Sequence, residues 1–583
     1  MLTSDTRGDF AADSRLVGIA GAAAVIGLLS TGAAYLLLRL ILLFTDLFFF
    51  HSWSTTAHSP GLNTLGYWVI PVPVVGGLII GLMARFGSDK IRGHGIPEAI
   101  EAILFGKSKM SLRVALLKPL SSAIAIGSGG PFGAEGPIIM TGGALGSLLG
   151  QQLRITGAER KTLLVAGAVA GMTAIFGTPI AAVMLAVELL LFELRPRSLL
   201  PVAVACAVAA FARPLFFDAG PLFPLQTAAV TPIILLSCVL AGLASGALSW
   251  VLSTSLYKIE DAFSRLPIHW MWWPAIGSVI VGVGGYLQPR ALGVGYDVIG
   301  DLLHNHLAVD AALALLACKA IMWVVALGSG TSGGVLAPLL MLGAGLGVVL
   351  GPYLPGGNEN LWPLVFMAAT LGGMMRAPIM ALMFAFEVTH DSSALVPLLT
   401  ACVTAYGFTV LVMPRSILTE KIARRGYHIY REYGIDPLER HTVEEVMTRE
   451  VATIEADTLI ADALRTHFGP AQFHRAFPVV RDGVFLGMVD RSLLAKHAAT
   501  ASAFRMSDLF GANLPVMALP EETCRTIATR LAVHHLERLP VVKNCQSREL
   551  LGIVARSDLI KPSLALFDEE HNYEQFNGVS LGE

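Results

Sequence analysis

The chain has 583 residues, 54% of them hydrophobic and 14% charged, and a formal net charge of −2. A soluble globular protein carries roughly 25% charged residues, so a wholly soluble fold is excluded and a multi-span membrane protein with something soluble attached is expected. The near-neutral charge points to neither a nucleic acid nor an acidic partner. The six cysteines are scattered, with no metal-ligand spacing and no disulfide framework.

In chain order, residues 1–14 are polar and too acidic for a signal peptide, and read as a cytoplasmic segment. Val17 to Phe50 is one long span, and Tyr67 to Phe86 a second, with Arg85, Lys90 and Arg92 at or beyond its end. Apolar segments recur to about Met413, several broken by Gly or Pro and shorter than the ~20 residues a spanning helix needs. Pro97–Phe105 and Val298–Leu303 are two such pieces. Short broken segments at matching places in two halves point to a transporter's binding site.

The two halves do match. Gly127-Ser128-Gly129 recurs as Gly328-Ser329-Gly330, GPIIM (136–140) as APLLM (337–341), and GGALGSLLG (142–150) as GAGLGVVLG (343–351). Lys118 pairs with Lys319, Gly93-His94-Gly95 with Gly293-Val294-Gly295, and Pro179 and Glu188 with Pro378 and Glu387. This is an internal duplication of about 200 residues, with repeats at about 15–215 and 230–430. Where the first half has Glu135, the second has Leu336. A carboxylate at membrane depth costs roughly 2.5–3.5 kcal/mol, so Glu135 is a specialisation of one copy.

Trp270, Trp272 and Trp273, with His269, suit a membrane interface. Lys118 and Lys319 are lone cations expected to snorkel. Glu188 and Glu387, near segment ends, are expected to face water or pair with a basic residue. Arg415, Lys421, Arg424 and Arg425 follow the last apolar segment closely, which makes that end cytoplasmic. Two similar soluble units follow, at 442–500 and 505–565. Each reads as an amphipathic helix, a strand around Pro-Val-Val, a turn, a strand ending in GMV or GIV, and a closing helix. Residues 566–583 are a polar tail.

Segments that begin at Gly-Pro inside a membrane place helix N-termini at depth, where free N–H groups and the positive dipole end bind anions. Three stretches can do this: GHGIP (93–97), GAEGP (133–137) and GGVLAP (333–338). Such a site holds an ion without a full countercharge, so it can also release it.

These stretches resemble the GSGIP, GREGP and GxFxP motifs of the CLC family of chloride channels and proton-coupled chloride exchangers, over roughly residues 15–430. The C-terminal units resemble CBS (cystathionine-β-synthase) domains. The resemblance implies an all-α multi-span membrane protein with two inverted repeats of broken helices, plus a small α/β cytoplasmic CBS pair. It implies a homodimer in the lipid bilayer, multi-pass and in the plasma (inner) membrane, with one pore per subunit and chloride or a similar anion as ligand. Glu135 would be the gating glutamate. Gly93, His94, Gly95, Ile96, Pro97, Gly133, Gly136, Pro137, Gly334, Val335, Leu336 and Leu418 would line the anion path.

The chain departs from those motifs at several positions. His94 stands where the family's serine hydroxyl touches the anion. It is read either as an imidazole donor to the anion or as a neutral ring bonded to nearby backbone. Ala134 stands for the arginine of GREGP, Leu336 for the phenylalanine of GxFxP, and Leu418 for the pore tyrosine. The exchangers' inner proton glutamate is Leu189, which cannot carry a proton. This favours a channel-like or uncoupled conductor over an antiporter using Glu188 or Glu193 as a surrogate acid. No cofactor or metal is required. CBS pairs often bind adenine nucleotides. Here Asp558 is present without its companion hydroxyl (Ala555), and the first unit has Asp490 but Leu493. A dimerising, structural module is the alternative. An intramembrane protease would need H-E-x-x-H, which is absent. A divalent-cation channel would need intramembrane acidic rings. A fluoride transporter of the same fold fits the GHGIP stretch and the CBS pair less well than chloride.

Overall fold

A computed structural model describes residues 14–228, 231–427, 437–469, 472, 474–498, 504–511 and 515–562. The N-terminal segment 1–14, apart from Ser14, and the polar tail 566–583 lie outside these. The described chain forms two compact units, parting between residues 427 and 437.

The first unit is all helix. Its first half runs α1 Arg15–Phe49, α2 Pro71–Phe86, α3 Ile96–Leu104, α4 Leu112–Gly127, α5 Glu135–Gln152, α6 Gly157–Phe176, α7 Pro179–Leu185 and α8 Pro196–Ala212. The second runs α9 Pro232–Ser264, α10 Trp273–Leu287, α11 Tyr296–Leu303, α12 Val309–Gly328, α13 Leu336–Leu350, α14 Leu361–Met375, α15 Pro378–Thr389 and α16 Leu395–Val412. Each helix of the first half has its counterpart in the second, in the same order. A last helix, α17 Ile417–Arg424, has none. Among the described residues, seven helical stretches are long and apolar enough to cross a membrane.

The broken helices start where the sequence demands it. Pro97, Pro179 and Pro378 sit in first turns, where the missing N–H costs nothing. Gly95 precedes α3 at φ +91°, a conformation open to glycine. Glycine also sets how close the helices come. A Cβ on Gly142 of α5 would lie 2.2 Å from Gly167 O of α6, and one on Gly167 would lie 2.1 Å from Gly142 O. The second half repeats this, with Gly343 of α13 against Phe366 O of α14 at 2.7 Å. Without a hydrophobic drive between helices in lipid, such small-residue contacts carry the packing.

The second unit is α/β. After two short turns, α18 Pro437–Arg440 and α19 Val443–Val446, come β1 Ile454–Glu455, α20 Ile460–His467, β2 Ala476–Arg481, β3 Val484–Asp490 and α21 Arg491–Ala498. Then come α22 Cys524–Val533, β4 Arg538–Val542 and β5 Leu550–Ala555. The hairpins β2–β3 and β4–β5 match the expected strand pairs, each with a register shift in its Val-Val stretch. Two details differ from the sequence reading. The first amphipathic stretch is not one helix, because Ile454–Glu455 leaves to pair in parallel with β2. Val443 and Val446 pack with Ile527, Leu531 and Leu539 of the second subdomain's core rather than the first.

Candidate functional site

The loop before α5 and the loop before α13 meet backbone to backbone. Gly133 and Gly334 form an antiparallel bridge, with N–H···O distances of 3.3 and 2.9 Å. The start of α3 closes on the same point. A Cβ on Gly95 would lie 2.6 Å from Gly136 O, and one on Gly136 would lie 1.9 Å from His94 O. GHGIP, GAEGP and GGVLAP are thus brought together, and only glycines allow the approach.

Glu135 is the first residue of α5 and is fully buried. Its carboxylate does not stay on its own helix. Oε1 accepts from the Ala337 amide, in the first turn of α13, at 2.6 Å. Oε2 has no hydrogen-bond partner among the described residues. The carboxylate fills a cradle of missing side chains, since a Cβ on Gly133 or Gly334 would fall 1.9 or 2.3 Å from Oε2. A negative charge at a helix N-terminus gains about 0.3–1 kcal/mol when exposed and more when buried. An anion in place of the carboxylate would use the same amides.

Ile96, Val335, Leu336 and Leu418 are all fully buried. Leu418 lies in α17, which packs against α3. His94 is buried, and neither ring nitrogen has a hydrogen-bond partner among the described residues. The ring is therefore not bonded to nearby backbone.

The two lysines are not snorkelling, as both are fully buried. Lys118 Nζ donates to Ile91 O and Gly93 O, each at 2.8 Å, and to Ser332 Oγ at 3.1 Å. Lys319 Nζ donates to Ala291 O at 3.0 Å and Gly293 O at 2.8 Å. Each cation ties down the loop that leads into a broken helix, α3 or α11, because those carbonyls have no ladder partner and burial makes an unmet acceptor costly.

Glu188 and Glu387 also differ from expectation. Glu387, buried, accepts from the Ile180 and Ala181 amides at 2.9 and 2.8 Å, capping α7. Glu188, in the π-helical turn Ala186–Leu191, accepts from Ile379 and Met380 at 3.3 and 2.8 Å, capping α15. Each half's glutamate caps the other half's helix. Glu193 lies 3.8 Å from Arg195, and Leu189 is buried.

Two cavities flank this region. One, of about 820 Å³, is bordered by Arg92, Glu98, Lys421, Arg424 and Arg425. Glu98 is its buried anchor. Oε2 accepts from Gly95 N at 2.9 Å, and Oε1 pairs with Arg425 at 2.9 Å and Lys421 at 3.9 Å. The other, of about 830 Å³, is bordered by Arg39, Thr56, Arg213, Phe217 and Tyr296.

Sequence reasoning missed Glu98, and also Ser332, on which Lys118, Ser121 and Ser122 converge. A signal for Ser332 existed, since the matching place in the first half holds Pro131. The tryptophan cluster is more than a lipid anchor: Arg92 stacks 4.5 Å over Trp270 and 5.8 Å over Trp273. In the second unit, Asp558 is buried, with Oδ2 accepting from Ala555 N at 2.7 Å and Oδ1 2.8 Å from Lys561. Asp490 accepts from Ser492 Oγ and Leu493 N, bonds that hold its carboxyl below the usual carboxylate range.

A sequence model of the family described as voltage gated chloride channel matches residues 76–410, and one of the CBS domain matches 443–499 and 513–564. A ClcB-like chloride channel protein from Ralstonia nicotianae is 31% identical over 374 residues, 62% of this chain and 87% of that protein. A voltage-gated ClC-type chloride channel ClcB from Salmonella dublin is 31% identical over 371 residues, 60% of this chain and 85% of that one. The fold is similar to that of a slow cyanobacterial Cl−/H+ antiporter (TM-score 0.63, 21% identity, 71% of this chain and 99% of that one). It is also similar to a eukaryotic CLC transporter (TM-score 0.59, 18% identity, 93% and 98%). The converging broken helices, the duplicated frame and these matches agree: the chain is a multi-pass membrane protein of the CLC chloride channel and transporter family, with a C-terminal pair of CBS domains.

Proposed function

We propose that the protein conducts chloride through a pore gated by Glu135, without obligatory proton coupling. One observation carries this reading: the Glu135 carboxylate occupies the N-terminus of α13, on the Ala337 amide. Chloride competes for that amide. When the carboxylate is protonated or displaced, the position becomes free and the path opens. His94, with two unpartnered ring nitrogens, supplies the donor that the family's serine would give. The anion path runs past Gly93, Gly95, Ile96, Pro97, Gly136, Pro137, Val335, Leu336 and Leu418.

The uncoupled character rests on Leu189 and on the surrogates being engaged elsewhere. Glu188 caps α15 and Glu193 lies beside Arg195. The reading includes a homodimer in the bilayer of a plasma (inner) membrane, with the CBS pair cytoplasmic beyond Arg424 and Arg425. The protein is a transporter and not an enzyme, and needs no cofactor. The boundaries are 15–430 for the transport domain and 442–500 and 505–565 for the CBS units. With Asp558 held by Ala555 and Lys561, the CBS pair acts as a structural module; bound adenine nucleotide would contradict this.

The test is chloride efflux from liposomes with a proton readout. Replacing Glu135 by Ala removes the pH dependence of flux and raises the rate about tenfold, the change expected when roughly 1.4 kcal/mol of blocking interaction is lost. Unchanged flux and pH dependence would sink the gating assignment. Uphill proton movement driven by a chloride gradient would instead establish an antiporter.

A further inference from the structure

The cavity of about 830 Å³ contains an unmet chemical demand. Arg213 borders it and is 8% exposed. Its Nη1 donates to Asp218 O at 2.8 Å and to Gly220 O at 3.4 Å. Among the described residues its Nε has no partner, and no carboxylate comes within ion-pair distance of the guanidinium. A buried cation without a counter-ion is costly.

Tyr296 borders the same cavity. It opens α11 with its ring against Phe176 and Phe223, and its buried hydroxyl also lacks a partner among the described residues. Its helix, α11, packs against α13, whose first turn holds the Glu135 carboxylate. In the duplicated frame Tyr296 occupies the place of Ile96, so the second half puts a donor where the first half has an apolar side chain.

We propose that Arg213 and Tyr296 form a second anion station, which holds a small monovalent inorganic anion such as chloride on the approach to Glu135. Arg213 supplies charge and Tyr296 a single directed O–H. Arg39 is the other cation bordering the cavity and Asp218 its acid, so the charge there stays positive. The backbone partners of Arg213 position it, and the Phe217 ring, 5.8 Å from the guanidinium, and nearby Asp218 offset only part of its charge. The station rests on the conduction reading for its role, but its occupancy can be measured separately.

Two measurements on the full chain test it. In liposomes, Arg213→Gln raises the chloride concentration for half-maximal flux about tenfold, the scale on which one charge in a cleft acts. Arg213→Lys restores most of it, and Tyr296→Phe raises it about threefold. The maximal rate changes little in all three. An unchanged half-saturation in folded Tyr296→Phe and Arg213→Gln overturns the station. The second measurement covers an Arg213→Gln that does not fold. A bromide soak of the parent crystal gives an anomalous peak beside Arg213 and Tyr296, lost in Tyr296→Phe. No peak at a bromide concentration that fills the Glu135→Gln site also overturns it. If the parent conducts no chloride yet shows the peak, the conduction reading fails and the station stands.

Discussion

In the first half, Lys118 ties down the loop into α3; in the second, Lys319 ties down the loop into α11. Glu387 caps α7 and Glu188 caps α15. Gly93 N–H donates to Thr331 O and Gly293 N–H to Gly129 O, each at 3.1 Å. The caps and the glycine amides cross between the halves, while each lysine holds carbonyls of its own half. The centre is different. Glu135 matches Leu336, His94 matches Val294, and Tyr296 stands where Ile96 does. The frame needs symmetry, because an unmet amide or carbonyl costs the same in either copy. The anion path proposed past these residues does not, since an ion crossing it would meet each donor once.

The largest test of that contrast is on the lysines. Lys118→Met strands two buried carbonyls and unlinks Ser332, and costs about 3 kcal/mol by the usual penalty for unmet buried groups. Lys319→Met strands two carbonyls and costs about 2 kcal/mol. Thermal unfolding in detergent reads both. If only one lysine matters, they are not equivalent pins. The glutamate caps come next. Glu188→Ala and Glu387→Ala each cost about 1–2 kcal/mol, the scale of a lost cap with its dipole interaction, and the two values agree within error. Neither Glu188→Gln nor Glu387→Gln shifts the pH dependence of flux. A shift in Glu188→Gln alone would make Glu188 a proton carrier and break the symmetry.

The central donors should respond on one side only. His94→Ser changes the chloride-to-nitrate permeability ratio roughly threefold, the effect of one hydrogen bond, or flattens the pH dependence of flux. Val294→Ser does neither. Equal responses from the two would place His94 with the frame and leave the anion without an imidazole donor.

Much of the frame was legible because backbone demands leave a mark in sequence. Pro97, Pro179 and Pro378 announce helix starts, and Gly142 and Gly343 announce close helix contacts at matching positions. Glu135 stood out because a membrane-depth carboxylate is costly. The partners of the charged groups were not legible. Lys118 looked like a snorkelling cation because its acceptors, 25 and 27 residues away, are backbone carbonyls that any residue carries. The reciprocal caps lie 191–207 residues apart and depend on the inverted packing of the halves, which local patterns do not encode. Val443 and Val446 joined the second CBS core through packing partners distant in sequence, which local patterns likewise do not encode.

The smallest expected effect lies at the ends of the two short helices. In the first half, Glu98 accepts from the amide that opens α3 and is ion-paired with Lys421 of α17 and with Arg425 just beyond it, with its side chain 6% exposed. The matching place in α11 is Val298, and the charged pair there is Arg290–Asp301, in which both side chains are 40% exposed. An exposed pair of this kind contributes about 0.2–1 kcal/mol and is screened by salt. Asp301→Asn should therefore lower the unfolding free energy by less than about 0.5 kcal/mol in physiological salt, with the difference shrinking as salt rises. A loss several times larger and insensitive to salt would show that α11 depends on its ion pair as α3 depends on Glu98. The two short helices would then be held alike, and the division between a symmetric frame and an asymmetric path would have to be drawn closer to Glu135.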